Sequence, residues 1–183
     1  MCGHSDAMGV LLAGKKEFVQ QVFHFREING ASLQADPAYM IARGLKTLEL
    51  RISRQNESAL TIARYLKSHP KVSDVFYPGL ESHTGHETAK AQMRGFGGML
   101  SFALDGGYEL VEKFLPSLTL VHLAARLGSV STLAGPPRTT SHVELTTAQR
   151  ALLGIPESLV RYSVGIENVD DLLEDLEQSL AKL

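Results

Sequence analysis

The side chain best placed for chemistry in this 183-residue chain is Arg161, in Leu159-Val160-Arg161-Tyr162-Ser163-Val164-Gly165-Ile166-Glu167. Period-two alternation puts Val160, Tyr162, Val164 and Ile166 on one face of a strand and Leu159, Arg161, Ser163 and Gly165 on the other. One guanidinium among small residues, behind an apolar face, is an odd place for a solvated charge. Its planar, permanently charged fork suits bidentate capture of a carboxylate or phosphate. On spacing alone a plainer reading stands ahead, an edge arginine paired with a nearby Asp or Glu. Other reactive side chains are few. The single cysteine, Cys2, excludes an internal disulfide framework and fits a reducing compartment. No pair among the seven histidines has zinc-ligand spacing with a third ligand nearby, so no metal site is expected. His83 and His86 sit in a Ser/Thr/Gly-rich turn and read as solvated.

Composition narrows the class. A formal net charge of −2 gives no basic surplus, so nothing favours nucleic acid or an anionic membrane as partner. No apolar run reaches membrane-spanning length and the start lacks a signal-peptide pattern; the expectation is a soluble, cytoplasmic α/β protein.

The elements that must position Arg161 follow from periodicity and breakers. Ala7–Ala13 reads as a buried strand ending in Gly14, although nothing upstream supplies neighbours for it. Lys15–Glu27 reads as a helix with Phe18, Val22 and Phe25 on one stripe and Gly30 closing it. Asp36-Pro37 reads as a cap followed by proline at the first helical position, opening a long helical pattern that His69-Pro70 stops. Gly44 and Ser53-Arg54-Gln55-Asn56 are the places for it to bend or break. Short segments follow: strands at Val72–Tyr77, Met99–Leu104 and Thr119–Leu123, a short helix or turn at Thr84–Met93, and helices at Tyr108–Leu115 (ended by Pro116) and Thr147–Leu153. Ala124–Leu133 is ambiguous, and Gly135-Pro136-Pro137 is a firm break. Asn168–Leu183 is a capped helix whose Leu172, Leu173, Leu176 and Leu180 form a core stripe. Strands and helices mixed in this way predict an α+β unit, an antiparallel sheet covered by helices, within an α/β class.

Several stretches together resemble the Cys/Met-metabolism family of pyridoxal-phosphate (PLP) enzymes, the cystathionine γ-lyases, methionine γ-lyases and cystathionine γ-synthases. They are Gly3-His4-Ser5-Asp6, Gly30-Ala31, Arg43-Gly44-Leu45-Lys46-Thr47-Leu48 with Arg51, and Tyr77-Pro78-Gly79-Leu80-Glu81-Ser82-His83. They continue with Gly97-Gly98-Met99-Leu100-Ser101-Phe102, Ala124–Leu133, Thr140-Ser141-His142 and Arg161-Tyr162-Ser163-Val164-Gly165-Ile166-Glu167. Each is weak alone; the set, in family order over the whole chain, is specific.

The resemblance implies the C-terminal portion of a fold-type-I (aspartate-aminotransferase-like) enzyme. Residues 1–35 would be the tail of the large PLP-binding domain, 36–69 a long connecting helix, and 70–183 the small α+β domain. Arg161 becomes the arginine that binds the substrate α-carboxylate. Ala125, Arg126, Leu127 and Thr140 become candidate pocket residues, and His4, Ser5 and Asp6 lie near the segment that carries the cofactor lysine. That lysine falls upstream of Met1 in the family, so no catalytic lysine is expected in this chain. Lys46 reads as a solvated or carboxylate-paired helix lysine, and His142 as a satisfied structural histidine. Where the family has serine, this chain has Arg126: an alternative anion contact, a mark of a lost task, or a surface arginine after a one-residue shift. Ala125, small and apolar at a position tied to substrate choice, argues mildly against selection of cystathionine's distal amino acid. The implied function is γ-elimination or γ-replacement on cystathionine, methionine or homocysteine-type substrates with PLP as cofactor, inactive in this chain alone. The partner is a missing N-terminal half or further copies of the chain. The other readings are a non-catalytic truncated paralogue serving as a dimerisation or interaction domain, and a fragment with no independent role.

Overall fold

Residues 2–183 are described by a computed structural model, and the chain divides into two units, one running up to Leu48 and the other Glu49–Leu183. In the first, helix α1 (Lys16–Asn29) closes on Gly30, whose φ of +66° is the left-handed conformation that glycine adopts without strain. No residue of α1 is buried, so the predicted stripe lies open: Phe18 and Phe25 are 53% and 69% exposed. Helix α2 (Ala35–Leu45) begins one residue before Asp36, with Gln34 as an N-cap that makes no side-chain bond. Pro37 therefore sits in the first turn, where its missing N–H is one of the donors that has no helical partner anyway.

The strand expected over Ala7–Ala13 does not form; the segment has no regular structure, and Met8 and Val10 are 87% and 100% exposed. A strand exists only by pairing, and among the described residues no other backbone pairs with this one.

Helix α3 (Leu48–Ser68) is separated from α2 by Lys46 and Thr47, whose N–H groups bond the carbonyls of Arg43 and Gly44. The helical pattern is thus interrupted just past Gly44, and Ser53–Asn56 runs unbroken. The second unit continues with β1 (Val72–Phe76), α4 (His86–Gln92), β2 (Met99–Leu104), α5 (Tyr108–Ser117), β3 (His122–Leu123) and β4 (Leu133–Gly135). It ends with α6 (Thr147–Leu152), β5 (Leu159–Ser163) and α7 (Val169–Leu180). Pro116 lies inside α5, in its last turn, rather than before its end. Gly135 belongs to a strand rather than to the expected break, which comes as a 3-10 turn at Pro137–Thr139.

These strands form one five-stranded sheet in the order β1-β2-β5-β4-β3. All neighbours are antiparallel, as expected, except β3 and β4 at one edge, which run parallel. One face is the core: Ile62 and Leu66 of α3, Phe114 of α5, and Leu172, Leu176 and Leu180 of α7 cover Phe102, Val160 and Tyr162, all buried. Phe102 and Phe114 meet edge to face, centroids 5.8 Å apart. Ile166 leaves this face and is 41% exposed, because β5 ends at Ser163 and alternation ends with it.

Strand β3 is shorter than expected because Asp175, buried on α7, captures the chain before it. The Asp175 carboxylate accepts the Thr119 N–H at 2.8 Å, the Thr119 hydroxyl at 2.7 Å and the Leu120 N–H at 3.1 Å. Burial alone would raise this carboxyl; the donors of Thr119, Leu120 and Gln178 outweigh it and hold it below the usual range. A depressed folded-state value stabilises the fold above the unfolded value and loses that contribution as pH falls. Urea unfolding should therefore show stability declining below about pH 4, and Asp175→Asn should flatten that decline. Tyr162 gives a second expectation. Its buried hydroxyl has no hydrogen-bond partner among the described residues, and burial, ahead of the charges of Asp175 and Glu167, pushes its titration far upward. Removing an unsatisfied buried group is close to neutral or favourable, so Tyr162→Phe should hold or gain stability, by up to about 1 kcal/mol in urea.

Candidate functional site

The second face of the sheet is where Arg161 lies. Within the ladder its neighbours are Ser101 of β2 on one side and Gly135 of β4 on the other. Cross-strand partners point the same way, so Ser101, Arg161 and Gly135 form a row on the face away from Tyr162. Gly135 has no side chain to fill the space beside the arginine. A Cβ there would stand 3.2 Å from the Ala124 carbonyl and 3.9 Å from the Thr140 methyl, which places Thr140 and the loop after β3 against this spot. Thr140 is fixed by its hydroxyl, which donates to the Pro136 carbonyl at 2.8 Å.

Arg161 is half-buried, and its Nη2 donates to the Ala125 carbonyl at 2.6 Å and the Arg126 carbonyl at 3.3 Å. The ion pair that spacing favoured is not made: among the described residues no carboxylate lies within ion-pair distance of this guanidinium. One edge of the fork thus holds a loop in place and the rest faces outward. Ala125, Arg126 and Leu127 are exposed on that loop, Leu127 by 60%.

The strand grips the same loop further along. Gly128, at φ +71°, donates its N–H to the Ser163 hydroxyl at 3.0 Å, so Ser163 is an acceptor for backbone. Gln55 on α3 donates to the Ser129 carbonyl at 2.9 Å, and Ile166 N–H to the Val130 carbonyl at 2.9 Å. Glu167 accepts the Thr132 N–H at 2.6 Å and its hydroxyl at 2.7 Å, while the same hydroxyl accepts the Gly165 N–H at 2.9 Å. Gly165 must be glycine: a Cβ would collide with the Glu167 carboxylate and the backbone of Val130 and Thr132. In the ambiguous stretch Ala124–Leu133, the residues up to Thr132 therefore form a loop held by β5, the residues just after it and α3, and Leu133 opens β4.

A second clamp, absent from the sequence reading, holds the segment after Thr140. Arg150 is buried and donates through Nε to Glu157 at 2.8 Å; Arg138 meets the same carboxylate at 2.7 Å and stacks its guanidinium 4.2 Å from the Tyr108 ring centroid. The Arg150 hydrogen bond, first, with the charges of both arginines, holds Glu157 below the usual carboxylate range. Arg138 lies in the 3-10 turn, Arg150 on α6 and Glu157 in the link to β5, so no single periodic pattern marks the cluster. His142 is half-buried, its Nδ1 2.9 Å from the Ser141 hydroxyl and its carbonyl accepting from Arg150.

His4, Ser5 and Asp6 are assembled in the first unit as a tight turn. Ser5 is in the left-handed region at φ +58°, unusual for a residue with a side chain. His4 Nδ1 lies 2.8 Å from the Cys2 carbonyl, and the Cys2 thiol donates to Asp6 at 3.0 Å. That bond, ahead of the charges of His4 and Arg43, lowers Asp6. Gly44 admits the turn, because a Cβ there would strike the Cys2 backbone.

With this geometry in view, the comparisons decide the lineage. The profile of the Cys/Met metabolism PLP-dependent enzyme family matches residues 1–181. The chain belongs to that family. It is 44% identical over 99% of its length to an L-methionine gamma-lyase of Fusobacterium nucleatum, covering 46% of that protein. It is 47% identical over 97% of its length to a cystathionine gamma-synthase of Mycobacterium leprae, covering 45% of it. A crystal structure of cystathionine gamma synthase from Xanthomonas oryzae pv. oryzae in complex with cystathionine superposes with a TM-score of 0.90 at 38% identity, over 99% of this chain and 47% of that one. The fold is that of a fold-type-I PLP enzyme, and the chain spans about half the length of the curated relatives it matches.

The residues described do not by themselves make a seat for PLP. A Schiff-base lysine must be desolvated to act as a nucleophile. Here Lys15, Lys16, Lys46, Lys67, Lys90, Lys113 and Lys182 are exposed, and half-buried Lys71 gives its ammonium to the Leu180 carbonyl at 3.1 Å. What this chain of the PLP-dependent family does present is a guanidinium on an open sheet face and a loop pinned above it. That pinning is testable: Glu167→Ala should speed amide hydrogen exchange at Gly128–Thr132 by tenfold or more, roughly the worth of one charge-assisted bond, while Phe102 and Val160 keep their protection.

Proposed function

We propose that this chain is the substrate-binding, C-terminal part of a PLP-dependent carbon–sulfur lyase or γ-synthase, acting by γ-elimination or γ-replacement on cystathionine, methionine or homocysteine-type amino acids. The observation that carries the reading is Arg161: half-buried on the sheet's second face, held by two carbonyls through Nη2 and, among the described residues, without a carboxylate at ion-pair distance. A fork anchored in this way can take the substrate α-carboxylate through its remaining donors without reorganising, which is what positioning requires. Thr140, Ala125, Arg126 and Leu127 border the place where the rest of the substrate would lie. His4, Ser5 and Asp6 would lie by the segment that carries the cofactor lysine. In this reading residues 1–35 end a large PLP-binding domain, 36–69 connect, and 70–183 form the small domain. The lysine and the cofactor seat come from polypeptide beyond this sequence, so the chain alone is inactive, and the working form is an oligomer in the cytoplasm. The length of the relatives, more than twice that of this chain, supports this.

Arg126 favours a second reading. By resemblance it stands where the family has a serine that helps to hold the substrate carboxylate, and a large exposed cation there fits a non-catalytic paralogue that dimerises or binds a partner.

Two measurements separate them. Incubation of the purified protein with PLP, then borohydride reduction and mass spectrometry, should place a phosphopyridoxyl group on a lysine of a second polypeptide. This chain alone and unmodified would favour the paralogue; stoichiometric labelling of one of its own lysines would overturn the division of labour. In the PLP-bearing protein, Arg161→Lys keeps the charge and loses the bidentate geometry, so KM for the amino-acid substrate should rise about 10- to 100-fold, the worth of one charge-assisted hydrogen bond. An unchanged KM would remove Arg161 from the substrate.

A further inference from the structure

A cavity of about 580 Å³ opens within the second unit, lined by Glu49, Ile52, Ser53, Asn56, Met93, Arg94, Gly95 and Gly97. None of these residues belongs to the Arg161 cluster. One wall is a single face of α3, since positions 49, 52, 53 and 56 recur at helical spacing. The other is the loop from Met93 to Gly97. The two walls carry opposite charges: Glu49 on the helix and Arg94 on the loop. Among the described residues, neither of them has an ion-pair partner.

The polar groups between them are held in place. Asn56 Oδ1 accepts the Gly97 N–H at 2.7 Å, which fixes the side-chain amide and leaves its NH₂ group as a donor. Gly95 makes room for that amide, because a Cβ there would collide with it. Ser53 adds a hydroxyl one turn after Glu49. Ile52 and Met93 give an apolar surface, and the methionine is adaptable in shape.

This lining discriminates by charge. A simple anion meets Glu49, a simple cation meets Arg94, and an apolar molecule leaves both charges and the Asn56 amide without partners. A molecule with a carboxylate and an ammonium on one carbon satisfies both walls at once, and its side chain falls to Ile52 and Met93. The volume lies within the range of about 300–1,000 Å³ found for small-molecule pockets. We propose that this cavity is a binding site for a free α-amino acid with an apolar side chain, recognised as the zwitterion: Arg94 takes the carboxylate, Glu49 the ammonium, and Asn56 and Ser53 the remaining hydrogen bonds. The site is separate from the one at Arg161 and serves as an effector site rather than a reaction site.

The test uses the full chain with L-methionine as probe. Calorimetric titration into Arg161→Gln, which removes the carboxylate site proposed above, should still show one site with Kd at or below about 1 mM. Adding Glu49→Gln or Arg94→Gln to that background should weaken binding about tenfold or more, the worth of one charge-assisted bond. The decarboxylated amine and the deaminated acid of methionine should each bind about tenfold more weakly than methionine for the same reason. In the unaltered chain, nuclear magnetic resonance provides a reading that does not depend on the Arg161 variant folding: the Asn56 side-chain amide and the Gly97 N–H should shift on titration. Absence of these shifts up to about 10 mM, far above the affinity expected of a built site, would overturn the proposal. So would variants that bind as their parent does, or inorganic phosphate that competes as well as methionine. Loss of substrate effects at Arg161 with this binding intact would fail the functional reading and leave the effector site standing.

Discussion

Glu167 is the residue on which the site's construction turns. Its carboxylate takes both the N–H and the hydroxyl of Thr132, and that hydroxyl in turn takes the N–H of Gly165. A loop of eight or more irregular residues has no ladder to satisfy its backbone, and buried backbone groups left unpaired are costly. Here β5 and the residues just after it supply the partners: Arg161 for two carbonyls, Ser163 for one N–H, Ile166 for another carbonyl. The side chain that gives the face its positive charge is therefore also part of what shapes the loop. Under the proposed function the same arginine would also take the substrate carboxylate, using the donors that the loop carbonyls do not occupy.

The same device recurs around the sheet. Asp175 on α7 ends the approach to β3 by taking the N–H groups of Thr119 and Leu120, and Glu157 draws Arg138 and Arg150 onto the segment between β4 and β5. Asp175 and Glu157 each collect several donors at one point, which holds their carboxyls below the usual range and makes the connections they hold acid-sensitive. The core face, by contrast, relies on shape: Phe102 edge to face with Phe114, and the buried leucines of α7 packed against them. The face with Phe102, Val160 and Tyr162 is held by packing, and the face with Arg161 carries the hydrogen bonds that hold the loop after β3.

The first unit carries a different imbalance. Val10, Met8, Ile28 and Phe25 are all more than two-thirds exposed. Exposed apolar side chains gathered in one small unit are a general feature of surfaces that associate, and the relatives this chain matches extend over about twice its length. Among the described residues no helix is long and apolar enough to cross a membrane.

Local patterning was enough to read β2, α5 and α6 with ends within about two residues, and the start of α7 to one residue, since periodicity and caps act over a turn or two of chain. Asn168 capping α7 and Gly30 closing α1 were legible for that reason. Arg161 stood out because a lone cation on a strand of small residues is a local anomaly, and the set of short motifs around it identified the lineage. What sequence alone left open was every decision made by distant partners. Ala7–Ala13 has the composition of a strand, but pairing needs a neighbour, and none is described. Thr119–Leu123 is mostly not a strand because Asp175, more than fifty residues on, takes its donors. Whether Arg161 is paired or open, and whether Ala124–Leu133 is strand or loop, depended on Ser163, Glu167 and Gln55 acting across the fold. Hydrogen bonds between residues far apart in the chain leave no periodicity in it, and only folding brings their donors and acceptors within three ångströms of each other.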